Sequence, residues 1–379
     1  MAPSDFDSDL DLIGTPGAAV SLRTADTYPR RPGDYISKQT RASYKPDAKG
    51  ERFLQFIDEI TDGDTELAAY LQTVLGYAIT GHYREQSLFW FYGPTAGNGK
   101  DTLFNIVKGV IGDYGVWGAS GMLTQRKFQP HHAEVADING ARLVMHKELD
   151  EGQKLDAGRV KEFTGSAVIK THFMAENWFD MANTHTHIFA VNHLPPISSD
   201  DQGMLRRMVV IPFNVKFWDP DDPAFPENDP DVHIQDPLLE AYIIDHEAEA
   251  VLAWLVEGAM RWYRDGALHQ PPAVKGATLQ YLEKASDVWV WLEEATMRDP
   301  DAFMPTAELH AAYSRWSEQR GRPPMDAAVF GKRIAGFNYE PKQQKVNGMN
   351  TRGFRGLRFR ESTITVEQLM EMAKVWDRK

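Results

Sequence analysis

The residues best suited to chemistry stand between Ser87 and Gly112, SLFWFYGPTAGNGKDTLFNIVKGVIG, where an apolar run gives way to glycines and a lysine. Glycines let a backbone fold back until its N–H groups converge, a following helix adds the positive end of its dipole, and a lysine reaches outer phosphates. Gly93, Gly97, Asn98, Gly99, Lys100, Asp101 and Thr102 are therefore expected to hold a nucleoside triphosphate. The spacing departs twice from the usual G-x-x-x-x-G-K-[ST] pattern. An extra residue between Gly93 and Gly99 puts Pro94 where the first glycine would fall, so the loop must bulge or begin differently. Asp101 occupies the hydroxyl position that normally ligates magnesium, leaving Asp101 and Thr102 as alternatives for that role.

Hydrolysis of a triphosphate also needs a carboxylate to order magnesium and to orient or deprotonate water. The segment Ala141 to Glu151 is an apolar run ending in acids, and Glu148 is the first choice, with Asp150 and Glu151 behind it. Another apolar run, Thr186 to Val191, ends in Asn192, whose amide at a strand tip can position water or sense a terminal phosphate. Arg206 and Arg207 open a further run, Met208 to Phe213; in a ring ATPase one of them would reach the neighbouring subunit's nucleotide.

These groups need a scaffold, and the pattern supplies one. Leu88 to Tyr92 reads as a buried strand, and Leu103, Ile106, Val107, Val110 and Ile111 recur on one helical face, so strand, loop and helix follow in order. Residues 1–50, rich in Pro, Gly, Ser and Asp, read as an extended arm, and 51–84 as a helical collar marked by Phe53, Phe56, Ile57, Ile60, Leu67 and Leu71. The ATPase core takes 85–218. An acidic linker and helical segment take 219–279, beginning with a stretch from Asp219 to Glu249 that has eleven acids and no Lys or Arg. Helices are expected over Ala250 to Trp262 and Ala277 to Ala295, and a strand over Val116 to Ser120. Between Gly331 and Arg360 stand eight basic residues and one acid, among them Lys345, Arg352 and Arg355, a pattern suited to a phosphate-touching hairpin.

Composition narrows the class. At 379 residues with a net charge of -13, the chain can hold more than one domain and carries no uniformly basic coat. The absence of cysteine excludes disulfides and thiolate metal sites. His131-His132 and His185-x-His187 are close pairs without a third ligand at a recognisable spacing, which favours ordinary polar roles over zinc. No apolar run approaches the ~18 residues of a membrane span, and no signal-peptide core opens the chain, so a cytoplasmic location is expected.

Several motifs then line up in order. Leu75-Gly-Tyr-Ala-Ile-Thr-Gly81, the loop from Tyr92 to Thr102, Arg142 to Glu148, Arg159-Val-Lys161-Glu-Phe-Thr164-Gly165, Asn192-His-Leu-Pro and Arg206 to Phe213 together resemble the helicase portion of phage and plasmid primase-helicases, whose motor is a superfamily 3 helicase of the AAA+ class. The resemblance implies an AAA+-type α/β fold: a P-loop parallel sheet with an N-terminal helical bundle and, over 280–379, a winged-helix-like DNA-binding module with Phe303 to Ser317 and Met325 to Phe337 as helices and Gln344 to Phe359 as the wing. It implies ATP and magnesium as cofactors and a homo-oligomeric ring, usually a hexamer, that encloses single-stranded or forked DNA. In that picture Lys100 binds the β and γ phosphates, Glu148 and Asp150 serve magnesium and water, Asn192 is the sensor, and Arg206 or Arg207 is the finger in trans. Lys161, Lys170 and His172 are the candidate DNA contacts of a pore hairpin that ends near Glu176 and Asn177, while Trp178 is either a base-stacking group or, the preferred reading, a core aromatic. Fifty residues ahead of the motor cannot hold a primase, so primer synthesis is not expected of this chain, and a separate primase is one candidate partner. A loader or remodeller of a replication protein, or an ATP-binding DNA scaffold, are the competing functions.

Overall fold

The computed structural model describes residues 6–119, 121–125, 132–149, 152–174, 176–197, 201–226, 232–337, 339–346 and 348–360. Asp150, Glu151 and His131 lie outside the described residues. The chain separates into two compact units, 1–196 with 206–278, and 197–205 with 279–379.

The first unit opens with three short strands, β1 (Leu12–Thr15), β2 (Ala18–Ser21) and β3 (Thr27–Tyr28), which form an antiparallel sheet of their own. The arm is thus not simply extended: its apolar islands pair, and Gly17, at φ 83°, makes the turn between the first two strands. Two helices follow, α1 (Glu51–Ile60) and α2 (Thr65–Ala78), the second capped by the Asp64 carboxylate, which accepts from Leu67 N–H at 2.9 Å.

The central elements then alternate: β4 (Leu88–Tyr92), α3 (Lys100–Ile111), β5 (Gly115–Trp117), α4 (His132–Ala136), β6 (Leu143–His146), α5 (Ala157–Gly165), the hairpin β7 (Val168–Thr171) with β8 (Phe179–Ala182), β9 (Thr186–Val191), a short α6 (Gln202–Leu205) and β10 (Met208–Pro212). Five strands form one sheet in the order β10-β4-β9-β6-β5, every neighbouring pair parallel. Helices cover both faces of such a sheet, which is why its strands read as continuous apolar runs instead of alternating. All six residues of β9 are buried, as are Leu88 to Phe91 of β4. Strand β5 ends at Trp117, short of the expected Ser120.

The acidic segment is more structured than a linker. Strands β11 (Phe217–Trp218) and β12 (His233–Ile234) pair in parallel, and α7 (Leu239–His246) and α8 (Ala248–Asp265) follow. Helix α8 crosses α2 at backbone contact: a Cβ on Gly76 would lie 2.2 Å from Ala259 N, and one on Gly258 2.1 Å from Gln72 O. Only glycine at both positions permits that approach. Glu247 ties α1 to the same layer by accepting from Arg52 N–H at 3.1 Å and Phe53 N–H at 2.7 Å.

Arg142, 2% exposed, fastens the arm to the sheet. Its guanidinium donates to Ile79 O at 3.0 Å, Asp9 O at 3.2 Å and Leu12 O at 2.7 Å, and lies 4.8 Å from the centre of the Tyr114 ring. No carboxylate shares this set of bonds, so the carbonyls and the ring carry the charge. Arg142→Ala is expected to cost about 3 kcal/mol of stability, because it strands buried carbonyls as well as deleting packing. Urea unfolding of wild type and variant measures the loss.

The chain leaves the first unit within α9 (Pro272–Ala285). The expected single helix from 277 to 295 breaks here, because the Ser286 hydroxyl accepts from Trp289 N–H and starts α10 (Asp287–Ala295) afresh. In the second unit, β13 (Thr296–Pro305) occupies the first residues expected to be helical, and α11 (Thr306–Gln319) begins after Pro305, which cannot continue a ladder as donor. Helix α12 (Ala327–Gly336) and a hairpin of β14 (Glu340–Val346) and β15 (Met349–Phe359) complete it, with strand order β13-β15-β14.

Candidate functional site

Parallel strands place their C-terminal ends along one edge of a sheet, and ligands of open α/β folds gather there. Here that edge carries the loop after β4, Glu148 two residues beyond β6, and Asn192 directly after β9. These strands are neighbours, so residues 92 and 44 positions apart in sequence meet. The Lys100 ammonium donates to Asn98 Oδ1 at 2.7 Å and Asn192 Oδ1 at 3.1 Å, and Asn192 Nδ2 donates to Glu148 Oε1 at 2.8 Å.

The loop's irregular spacing is absorbed at its tip. Pro94, Thr95 and Ala96 are exposed, while Gly93 keeps the close approach: a Cβ there would lie 2.5 Å from Asn98 Oδ1 and 2.7 Å from Lys100 Nζ. Gly97 and Gly99 take φ of 76° and 78°, the left-handed region that favours glycine. Helix α3 starts at Lys100 without a side-chain cap, leaving its first N–H groups to a ligand.

A cleft of about 390 Å³ opens over this loop, lined by Gly97, Asn98, Gly99, Lys100, Asp101, Thr102, Glu148 and Asn192. Its remaining wall was not legible as such in the sequence: Phe56 of α1, Phe217 of β11, and Gln235, Asp236, Pro237, Leu239 and Glu240 around the start of α7. The acidic segment is held there by Phe217 N–H donating to Gly97 O at 2.7 Å and Asn98 Nδ2 donating to Val215 O at 2.8 Å. Phe217 and Trp218 stand immediately before the acidic, proline-rich run that begins at Asp219. Glu148 with Thr102 and Asp101 offers the oxygen ligands that magnesium prefers, on the side of the cleft where phosphate-binding N–H groups start a helix.

Burial pushes the Lys100 ammonium down to about 8, with Asp101 and Glu148 pulling in the opposite direction. Below pH 8 the empty site holds a charged lysine; above it, the proton needed to bind phosphate must first be recovered. ATP affinity is therefore expected to weaken by about tenfold per pH unit above 8. Equilibrium binding from pH 7 to 10 measures this, and Lys100→Ala should flatten the profile.

Other expected site residues sit elsewhere. Arg206 and Arg207 precede β10 and so lie at the opposite, N-terminal edge of the sheet, roughly 16 Å of strand rise away. Neither lines the cleft of its own chain. Arg206 is exposed, whereas Arg207 is 6% exposed and donates from Nε to Thr164 Oγ1 at 2.7 Å. Of the two candidates for a role in trans, only Arg206 presents its side chain outward.

Lys161 is half-buried on α5, Lys170 is exposed on β7 opposite Asp180, and His172 is half-buried at the hairpin tip. Trp178 is not a core residue: it is 52% exposed, with the His172 ring 4.6 Å away edge-on, and Phe173 and Met174 are 38% and 73% exposed beside it. The hairpin is too short to bury an aromatic between its own strands. In the second unit Lys345 and Arg352 are exposed on the β14–β15 hairpin. Arg355 is instead drawn to β13, donating to Pro300 O at 2.9 Å and lying 3.7 Å from the Asp301 carboxylate. His185 and His187 hold no metal-binding geometry; among the described residues no group of three or more His, Cys, Asp or Glu could hold an ion. Nor is any described helix long and apolar enough to cross a membrane.

Sheet, loop and strand-end polar groups together define a mixed α/β protein of the P-loop-like kind. Comparison with known proteins places it further. Residues 1–62 match the family described as "D5 N terminal like", and 91–207 match "Family of unknown function (DUF5906)". A protein of Acanthamoeba polyphaga mimivirus named "Putative helicase" is 29% identical over 219 residues, covering 56% of this chain and 23% of that protein. A Frog virus 3 protein, also named "Putative helicase", is 24% identical over 289 residues, 70% of this chain and 28% of its own. An "Uncoating factor" of Vaccinia virus is 24% identical over 216 residues, 55% and 27% of the two chains. The chain thus spans about a quarter of the length of these relatives. Among solved structures, the apo C-terminal region of NrS-1 aligns over 90% of this chain and 82% of its own, at 12% identity and a TM-score of 0.43. The chain resembles the phage primase-helicase family.

Proposed function

We propose that this chain is an ATP-hydrolysing DNA helicase motor that translocates on single-stranded DNA as a ring of identical subunits. The observation that carries the reading is the convergence of Lys100, Asn192 and Glu148 over a glycine loop at one sheet edge. In the proposed cycle the Lys100 ammonium exchanges Asn98 and Asn192 for the outer phosphates of ATP. Asn192 orients the attacking water, and Glu148 accepts its proton. Magnesium, when bound, would neutralise phosphate charge, with Glu148 and Thr102 or Asp101 as its protein ligands. Arg206, outward-facing at the far edge, would complete the cleft of the next subunit, which is the reason for proposing a ring. Viral relatives named as helicases support the reading.

DNA would be engaged at two surfaces, the β7–β8 hairpin and the exposed Lys342, Lys345 and Arg352 of the second unit, which we assign as a winged-helix-like module. With Asp180 opposite Lys170 and Glu176 at the tip, stacking on Trp178 outweighs charge at the hairpin. Trp178→Ala should weaken oligothymidylate binding about tenfold, more than Lys170→Ala does, in fluorescence anisotropy. Phosphate release from ATP with and without oligothymidylate tests the function itself, with Lys100→Ala as the blank. DNA stimulation supports a translocating motor. Stimulation by a replication protein, and not by DNA, would instead establish a loader.

A further inference from the structure

Behind the cleft, two histidines meet inside the sheet. His146 ends β6 and His187 is the second residue of β9; both are 1% exposed, and their rings share a hydrogen bond of 2.9 Å from Nε2 to Nδ1. Burial keeps both rings neutral, so one donates and the other accepts. Phe189 stacks on His146 at 4.1 Å, and Phe163 of α5 sets its ring edge against His187 at 5.3 Å. Among the described residues His187 Nε2 has no hydrogen-bond partner, although it is buried.

That arrangement is costly. A buried nitrogen left without a partner loses about 1–3 kcal/mol, and apolar residues of similar shape would fill the space without the penalty. The pair's position suggests what the cost supports. His146 stands two residues before Glu148, while β9 joins His187 to Asn192 along one strand. At its other end β9 follows the DNA-facing hairpin, whose foot is clamped by Asn183: Nδ2 donates to Phe163 O at 2.9 Å and Ser166 O at 2.8 Å. Phe163 thus touches both the hairpin foot and His187. Next to it, Thr164 accepts from Arg207, the neighbour of Arg206.

We propose that the His146–His187 pair is a positioning device that transmits hairpin movement, through Phe163 and α5, to the strand end that carries Glu148. Neither histidine touches the cleft, and the pair acts by setting the relative position of β6 and β9. The inference rests on the DNA-motor reading above.

The test compares wild type with His146→Leu/His187→Leu, which removes both polar partners, and with His146→Gln/His187→Asn, which retains one donor and one acceptor near the original atoms. Melting temperature, KM for ATP, and phosphate release with and without oligothymidylate are measured on the full chain. The leucine pair should melt at or above the wild-type temperature and keep KM within about twofold, yet lose about tenfold of the DNA stimulation, with partial recovery in the amide pair. Unchanged stimulation overturns the proposal. So does a fall in melting temperature and stimulation accompanied by a rise in KM, which would mark an ordinary structural contact. If wild type itself shows no DNA stimulation, the motor reading has failed first, and the coupling role falls with it.

Discussion

Glu148→Gln should slow phosphate release by about a thousandfold while leaving ATP affinity within about threefold. The amide is isosteric, and its oxygen can still accept from Asn192 Nδ2, so the bond between β6 and β9 survives. What disappears is the group able to take a proton from water. Single-turnover hydrolysis with separately measured nucleotide binding distinguishes the two effects. A variant that hydrolyses normally would move the base elsewhere in the acidic turn. Equal losses in binding and rate would make Glu148 chiefly a magnesium ligand.

The second large effect is acid instability. Burial lowers His146 to about 3, His185 to about 4 and His187 well below its ordinary value. The folded protein therefore binds fewer protons than the unfolded chain once pH falls below the ordinary histidine value near 6.5, and stability must decline with pH from there. All three groups have lowered folded values, so the loss begins near 6.5 and continues to about 4 for His185 and about 3 for His146. At pH 5 His146 and His185 each contribute about 2 kcal/mol of destabilisation, and His187 adds to it in the same direction. Urea midpoints at pH 7.5 and pH 5 measure the drop. The His185 share should shrink in His185→Asn once that variant's own loss at pH 7.5 is subtracted. A flat profile would mean that these rings are not held neutral.

Much of the central sheet could be read from the chain, because β4, β6, β9 and β10 are buried on both faces and so appear as apolar runs with polar residues at their ends. Polar residues at such ends are conspicuous, which is why Lys100, Glu148 and Asn192 could be named beforehand. That Asn192 bridges the other two was not visible, since strand order depends on packing and not on local pattern. The far wall of the cleft was hidden for a different reason. Phe56 looks like any helix-face aromatic, and Gln235 and Asp236 lie in a run whose charge suggested solvent. Arg142 shows the same limit: its partners are backbone carbonyls, which leave no trace in side-chain identity. Trp178 misled because aromatic residues are usually buried, whereas a two-stranded hairpin has no interior.

Strand separation tests the proposed activity most directly. A forked duplex with a fluorophore and quencher on its paired ends would be mixed with the purified chain, ATP and magnesium, with Lys100→Ala and Glu148→Gln in parallel. The motor reading expects ATP-dependent release of the labelled strand by wild type and by neither variant, with loss of activity in Arg206→Ala restored when that variant is mixed with Glu148→Gln subunits. Hydrolysis of ATP by an assembled wild-type protein, without strand release from a fork of either orientation, would contradict it.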